Sequence, residues 1–96
     1  MKINELREGM RKVALEAEVT EMTDIREVRS RYTNETYQVC EATIEDETGS
    51  MLLTLWNEQV HQVAVGDRVK IQNGYVKSFK ENLQLNSGKY GILEVL

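Results

Sequence analysis

The chain has 96 residues, of which 41% are hydrophobic and 29% charged, and its formal net charge is −4. This length predicts a single domain over residues 1–96. No apolar run approaches the roughly 18 residues that cross a bilayer, and the first residues contain no apolar stretch typical of a secretory signal. We therefore expect a cytoplasmic protein and exclude a membrane-spanning one.

Cysteine and histidine are too scarce for a metal cluster or a disulfide. Cys40 and His61 are the only residues of their types, so neither a zinc site nor an internal disulfide can form. The acidic residues 45–47 lie in a predicted turn and lack a second cluster that would complete a metal site. No nucleophile, general base or phosphate-binding loop has a usable spacing. We expect no cofactor and no enzymatic activity.

Positive and negative charges are segregated along the chain. Residues 38–67 contain six acidic residues and neither lysine nor arginine, whereas residues 68–96 contain five basic and two acidic residues. Residues 25–37 add three arginines against two glutamates. A negative net charge argues against phosphate contacts, yet two separated basic segments can form a basic groove on an acidic body. Ordinary solvated side chains explain the same composition equally well.

Alternation of apolar and polar residues predicts the first strands. Apolar side chains at the odd positions of residues 13–19 predict a half-buried strand over about residues 12–22. The polar residues 23–36 are too irregular for a helix and too many for a hairpin turn, and long loops are often functional. We interpret this segment as a binding loop. Alternation returns in residues 37–45, which predicts a second strand with Cys40 in the core.

A predicted hairpin joins the second strand to the third. Asp46 can open a type I turn that Gly49 closes in the left-handed region, where glycine has no steric cost. Residues 51–56 form the third strand and place Trp56 on the face opposite Leu53 and Leu55.

The fourth strand changes phase in its middle. Val69 and Ile71 occupy inward odd positions, but after Gly74 the small or apolar residues fall on even positions. A β-bulge at Gly74 explains this change. Three odd-numbered side chains are then predicted to face outward: Tyr75, Lys77 and Phe79.

The remaining segments complete a five-stranded pattern. Residues 57–65 predict a short helix or turn between the third and fourth strands, capped by Asn57. The side chains expected to plug the barrel are those of Val60, Val63 or Val65. A turn at residues 80–82 leads into a fifth strand, and residues 88–96 supply a last extended piece. Five short strands with one helical connection predict an all-β barrel of the OB type.

These segments resemble those of the archaeal single-stranded DNA-binding proteins and their relatives, which include the small human single-stranded DNA-binding proteins and the OB domains of replication protein A. The resemblance covers nearly the whole chain and rests on four segments in this order: KINELREGM, EATIEDETGSMLLTLWNEQ, VGDRVKIQNGYVKSF and LQLNSGKYG. It implies a five-stranded Greek-key barrel whose open face stacks nucleotide bases on aromatic side chains. The three stacking positions of the family correspond to Trp56, Tyr75 and Phe79.

The resemblance and the strand periodicity select the same three aromatic residues. Stacking contributes roughly 1 to 3 kcal/mol per base and tolerates any base, so a net acidic domain can still bind. Basic side chains would follow the phosphates, each adding roughly 0.7 to the salt dependence. The predicted nucleic-acid-binding residues are Trp56, Tyr75, Phe79, Lys77, Arg29, Arg31, Lys80, Thr54 and Gln84, with Lys89 as a further candidate.

The other aromatic residues and the histidine receive weaker or no functional roles. Tyr32, in the predicted binding loop, can close over bound DNA or anchor its loop. Tyr37 and Tyr90 are expected to be structural. His61 lies in the presumed plug and has no partner at catalytic spacing, so it is assigned no function.

We expect sequence-tolerant binding of single-stranded DNA in replication, recombination or repair, by a protein that is a monomer when free. One alternative is a protein-interaction OB domain in a multi-subunit replication complex, which the net charge of −4 favours. Another is an RNA-binding OB domain, because stacking serves both nucleic acids. Other replication or repair proteins are candidate partners. Family members commonly continue into a charged tail, whereas this chain stops at Leu96; either it is truncated or it recruits partners in another way.

Overall fold

The computed structural model describes residues 1–87 and 91–96, except for the side chain of Phe79. A short 3-10 turn at Ile3–Glu5 precedes the strands and the single described helix. In chain order these are β1 (Val13–Met22), β2 (Arg26–Arg29), β3 (Thr36–Asp46), β4 (Gly49–Trp56), α1 (Gln59–Gln62), β5 (Arg68–Phe79), β6 (Asn82–Asn86) and β7 (Ile92–Val95).

Five of the strands close into a barrel. Strand β1 pairs with both β3 and β5, β3 pairs with β4, and β6 joins β4 in parallel and β5 in antiparallel orientation. Strand β2 extends the sheet beyond β3, and β7 extends it beyond β5. The helix α1 connects the third and fourth barrel strands, as predicted. The all-β, five-stranded OB barrel is therefore confirmed.

The core follows the alternation seen in the sequence. The odd positions of β1 from Val13 to Val19 are inward and at most 4% exposed, whereas the even positions up to Glu18 are exposed. Cys40 and Leu55 face each other across β3 and β4, and both are fully buried. Each such buried side chain contributes roughly 1.5 to 3 kcal/mol. The inward side chains that line the barrel are Val13, Leu15, Ala17, Val19, Cys40, Ala42, Ile44, Met51, Leu53, Leu55, Val69, Ile71, Val76 and Leu85.

A bulge in β5 turns the end of that strand outward. Val13 pairs with Gly74 and Leu15 with Ile71, so β5 uses one residue more than β1 over this interval. The left-handed residue of the bulge is Asn73, with φ of 56°. Gly74 suits the bulge for a different reason, because a Cβ there would make a tight contact, 3.1 Å from the carbonyl oxygen of Asn86. The predicted bulge is thus confirmed.

One predicted feature of the first hairpin and its preceding loop is wrong, and another is right only in part. Residues 23–36 are not one loop, because they contain β2, which pairs with β3 in register from Arg26 to Arg29. Gly49 has the positive φ that was predicted, but its value of 156° is far from the left-handed helical value near 57°. It already belongs to β4 and pairs with Asp46. The opening role of Asp46 is confirmed, since its carboxylate accepts hydrogen bonds from the backbone N–H and the hydroxyl of Thr48.

The short helix also differs in detail from the prediction. Asn57 does not cap it: the helix begins after Glu58, and the Asn57 side chain instead accepts a hydrogen bond from the backbone N–H of Gln38 at 3.2 Å. Val60 and Val63 plug the barrel, whereas Val65 is 60% exposed. Within residues 1–87 and 91–96, no helix is long and apolar enough to cross a membrane.

Candidate nucleic-acid interface

The candidate interface is the outward side of β3, β4, β6 and β5, here called the outer face. Strand register places two rows of side chains across it. Thr54 lies between Glu41 and Asn86, and Asn86 lies between Thr54 and Tyr75. The neighbouring row consists of Thr43, Leu52, Gln84 and Lys77. The β3–β4–β6–β5 order therefore brings together residues that are up to 45 positions apart in the sequence, as Glu41 and Asn86 are.

Two predicted stacking residues lie on the outer face, each next to Asn86. Trp56 and Tyr75 are 36% and 37% exposed. The indole Nε1 of Trp56 donates a hydrogen bond to Asn86 Oδ1 at 3.5 Å, and Tyr75 pairs with Asn86 across β5 and β6. Partly exposed rings on a rigid sheet can stack with flat ligands. The backbone of Phe79 ends β5, but its side chain lies outside the described residues.

Tyr37 supports Trp56 from the side. The two rings are in an edge-to-face arrangement, with centroids 6.5 Å apart and an interplanar angle of 85°. The Tyr37 hydroxyl donates to Glu35 Oε2 at 2.8 Å. Tyr37 was expected to be structural, and this contact lets it position the indole. Sequence reasoning missed the contact because it depends on pairing between β3 and β4.

The outer face has a polar floor formed by Thr54, Gln84 and Asn86. These side chains are 5%, 9% and 1% exposed, respectively. Thr54 and Gln84 were predicted to bind nucleic acid, and the structure buries most of both side chains within the outer face. Asn86 was not predicted, although it follows Gln84 at the next outward position of β6. Among the described residues, Thr54 Oγ1 and Asn86 Nδ2 are buried without a hydrogen-bond partner.

The predicted basic residues lie on two hairpins at opposite ends of the outer face. Lys77 is exposed on β5 opposite Gln84, and Lys80 begins the turn to β6. Arg29 ends β2 and donates two hydrogen bonds to Asn34 Oδ1, at 3.0 and 2.6 Å. Exposed Arg31 lies in the following turn. Because β2 pairs with the part of β3 next to Trp56, the two hairpins lie on either side of the aromatic centre.

The part of the chain between residues 88 and 90 includes two residues discussed above. Lys89, the further basic candidate, and Tyr90, expected to be structural, lie outside the described residues.

Tyr32, on the β2–β3 turn, is 97% exposed. Its ring is accessible, which fits a residue that closes over a ligand better than one that anchors its loop.

The carboxylate of Glu41 lies on the outer face and neutralises a nearby arginine. Glu41 accepts two hydrogen bonds from the Arg26 guanidinium, at 2.6 and 2.7 Å. The bond from Arg26 lowers the pKa of Glu41 against the opposing effect of burial, and the same bond raises the pKa of Arg26. Arg26 therefore contributes little free positive charge to the predicted basic groove.

The remaining reactive side chains have structural surroundings. Burial raises the pKa of the Cys40 thiol, which is fully inaccessible and stays protonated at neutral pH. The imidazole Nε2 of exposed His61 contacts Gln38 Oε1 at 3.0 Å. Among the described side chains, no group of three or more His, Cys, Asp and Glu residues could hold a metal ion.

Comparison with known proteins identifies relatives of this fold and sequence. The family described as "Single-stranded DNA binding protein Ssb-like, OB fold" matches residues 6–95. The single-stranded DNA binding protein Ssb of Saccharolobus solfataricus is 33% identical over 87 residues, which cover 91% of this chain and 57% of that protein. The chain thus spans little more than half the length of this relative.

Solved structures agree with the barrel described above. The second OB-fold domain of replication protein A from Methanococcus maripaludis has a TM-score of 0.79 and 28% identity, with coverage of 100% of this chain and 93% of that domain. A replication factor A related protein from Methanobacterium thermoautotrophicum has a TM-score of 0.80, coverage of 100% and 89%, and 21% identity. At that identity the second structure supports the fold alone. The predicted resemblance to archaeal single-stranded DNA-binding and replication protein A-like domains is confirmed.

Proposed function

Because this chain belongs to the Ssb-like OB-fold family of single-stranded DNA-binding proteins, we propose that it binds single-stranded DNA with little sequence preference. The family consists of binding proteins, and the chain is not an enzyme. The observation that carries the proposal is the placement of Trp56 and Tyr75, each about one-third exposed, on either side of Asn86. Each ring can stack a base for roughly 1 to 3 kcal/mol whatever the base.

The charge distribution supports a path for the strand across the outer face. Lys77 and Lys80 lie on the β5–β6 hairpin, and Arg29 and Arg31 lie on the β2–β3 hairpin. In the proposal, these side chains follow the phosphates while Trp56, Tyr75 and Phe79 hold the bases. Thr54 and Gln84 form the floor beneath them. Residues 1–96 act as one binding domain, monomeric when free, that serves replication, recombination or repair in the cytoplasm.

The experiment that tests this function is a titration with oligothymidine, followed by Trp56 fluorescence and independently by anisotropy of a labelled strand. Trp56 is the only tryptophan, so saturable quenching reports a base stacked on that ring. The same titration with oligouridine measures any preference for DNA over RNA. Absence of binding in both assays would contradict the proposal and favour a protein-interaction domain.

Matched variants separate stacking from phosphate contacts. Trp56→Ala should weaken binding by about 1 to 3 kcal/mol without changing the salt dependence. Lys77→Ala should lower the slope of log K against log salt by about 0.7. Lys70→Ala is the control, because Lys70 pairs with Glu16 and Glu94 on the other side of the barrel. If the control changes the slope as much as Lys77→Ala, the outer face is not the site.

A further inference from the structure

The polar floor contains two atoms whose hydrogen-bonding capacity is unused. Thr54 Oγ1 and Asn86 Nδ2 are buried and have no partner in the described part of the chain. They are neighbours, because Thr54 and Asn86 pair across β4 and β6. Buried polar groups are nearly always hydrogen-bonded. Two neighbouring buried atoms without hydrogen bonds therefore indicate that a bound partner is missing. The partner would enter between Trp56 and Tyr75.

The hydrogen bond from Trp56 favours one orientation of the Asn86 amide. Asn86 Oδ1 accepts the hydrogen bond from the indole Nε1, which is a donor only. The reversed amide would bring two N–H donors face to face. Asn86 therefore presents its NH2 group as the free end, and this group requires an acceptor.

The surroundings favour a base over a phosphate as the source of that acceptor. Along the same row, Thr54 is followed by Glu41, whose lowered pKa keeps it negatively charged. A phosphate at the floor would be repelled by this carboxylate, whereas the carbonyl oxygen of a neutral base is not. The aromatic rings on both sides are also suited to a flat base.

We propose that Asn86 donates a hydrogen bond from Nδ2 to a ring carbonyl of the pyrimidine base that stacks on Trp56. This inference rests on the proposed function. Asn86 is only 1% exposed because its amide is covered, and its bond to the indole is long at 3.5 Å. A bond of this length is weak. A base that stacks on the indole can replace part of its cover and supply the missing acceptor. Adenine has no carbonyl oxygen, so the site gives a modest preference for thymine over adenine.

The test compares oligothymidine with a strand of difluorotoluene nucleotides, which have the shape of thymine and stack but accept hydrogen bonds poorly. Asn86→Leu removes the donor at similar volume, and Asn86→Ala removes it without risk of overpacking. Both variants should bind oligothymidine about 3- to 10-fold more weakly than wild type, the size expected for one hydrogen bond. On the difluorotoluene strand they should bind like wild type. Such a double comparison isolates the contact between the two groups.

Lys77→Ala is the matched control, since a phosphate contact should be lost equally on both strands. Equal losses for the Asn86 variants on both strands would show that Asn86 only positions Trp56, which overturns the inference. Unchanged binding of oligothymidine would overturn it as well. Either result leaves the proposed function intact if wild type binds both strands. If wild type binds neither strand, the proposed function is refuted instead.

Discussion

Arg26 and Glu41 form a two-hydrogen-bond ion pair between β2 and β3, at the border of the outer face. The Glu41 side chain is 17% exposed and the Arg26 side chain 53%. Thr23 adds a further contact, because its hydroxyl accepts the backbone N–H of Glu41 at 3.0 Å. The proposed binding face thus contains a carboxylate that already forms an ion pair with one of its arginines. Phosphates must compete with Glu41 for Arg26.

Glu41→Gln should therefore strengthen DNA binding. The substitution removes a negative charge from the outer face and leaves Arg26 available to a phosphate. We expect a gain of a few-fold in affinity and an increase of about 0.7 in the salt slope. Anisotropy titrations with oligothymidine at several salt concentrations measure both quantities.

Glu16→Gln is the control for this prediction. It makes the same change in net charge, but Glu16 lies across the barrel, paired with Lys70. If both variants gain equally, the cause is the overall charge of the protein rather than the Arg26–Glu41 pair. A loss of affinity in Glu41→Gln would show that the carboxylate holds Arg26 in its binding position.

Residue alternation predicted those parts of the fold in which one face of a strand is buried. It placed the core side of β1 and the outward direction of Trp56, and the small residue Gly74 marked the phase change in β5. Strand β2 was not predicted, because all four of its residues are exposed and carry no alternation. Its order comes from pairing with β3. The sequence of such a short polar hairpin has the pattern of a loop.

Contacts across the outer face could not be predicted for a different reason. The Trp56–Tyr37 and Trp56–Asn86 contacts depend on the register of strands that are distant in sequence. Side-chain alternation gives the face of each residue but not its neighbour on the next strand. The turn between β5 and β6 was predicted, yet its residues Lys80 and Glu81 both have positive φ without a glycine. Only the structure shows that geometry.

The Tyr37 ring should matter for binding through Trp56. Tyr37→Ala removes the edge-to-face contact, and we expect a loss of about 0.5 to 1.5 kcal/mol in oligothymidine affinity. Tyr37→Phe retains the ring and loses only the exposed hydrogen bond to Glu35, so its affinity should stay close to that of wild type. Fluorescence titration measures both. Equal losses in the two variants would indicate that the hydroxyl, not the ring, is the important group.

Asp46 should make the stability of the barrel depend on pH. Burial raises the pKa of Asp46, but hydrogen bonds to its carboxylate outweigh this effect and lower the pKa to about 2, from the usual 3.8. These bonds come from the Thr48 hydroxyl and from the backbone N–H groups of Ile3, Thr48 and Gly49. Because the folded pKa is below the unfolded one, the stabilisation is complete above about pH 4. It is lost as the pH falls towards 2, and we expect about 1 kcal/mol after solvent screening.

Urea unfolding followed by Trp56 fluorescence measures this dependence. Asp46→Asn should be less stable than wild type at pH 6, and the difference should shrink between pH 4 and pH 2. Other carboxylates titrate in the same range, but they are present in both proteins. The difference between the two proteins therefore isolates Asp46. A constant difference over this range would mean that the charge of Asp46 is not involved.

Gly74 should be difficult to replace by alanine. A Cβ at this position would lie 3.1 Å from the Asn86 carbonyl oxygen and from Ile71 Cγ2, and 3.2 Å from Leu85 Cδ1. Gly74→Ala must push β6 away from β5, and we expect a loss of about 1 to 3 kcal/mol in the free energy of unfolding. Because the shift moves the Asn86 backbone, it should also weaken oligothymidine binding under conditions in which the variant is folded.

Ser78→Ala provides the comparison on the same strand. Ser78 is exposed and loses only a surface hydrogen bond to Glu8, so the free energy of unfolding should change by less than about 0.5 kcal/mol. Urea unfolding and fluorescence titration of the two variants test both effects together. If Gly74→Ala is as stable as Ser78→Ala and binds normally, β6 can move without disturbing the outer face, and the close contact at the bulge does not position Asn86.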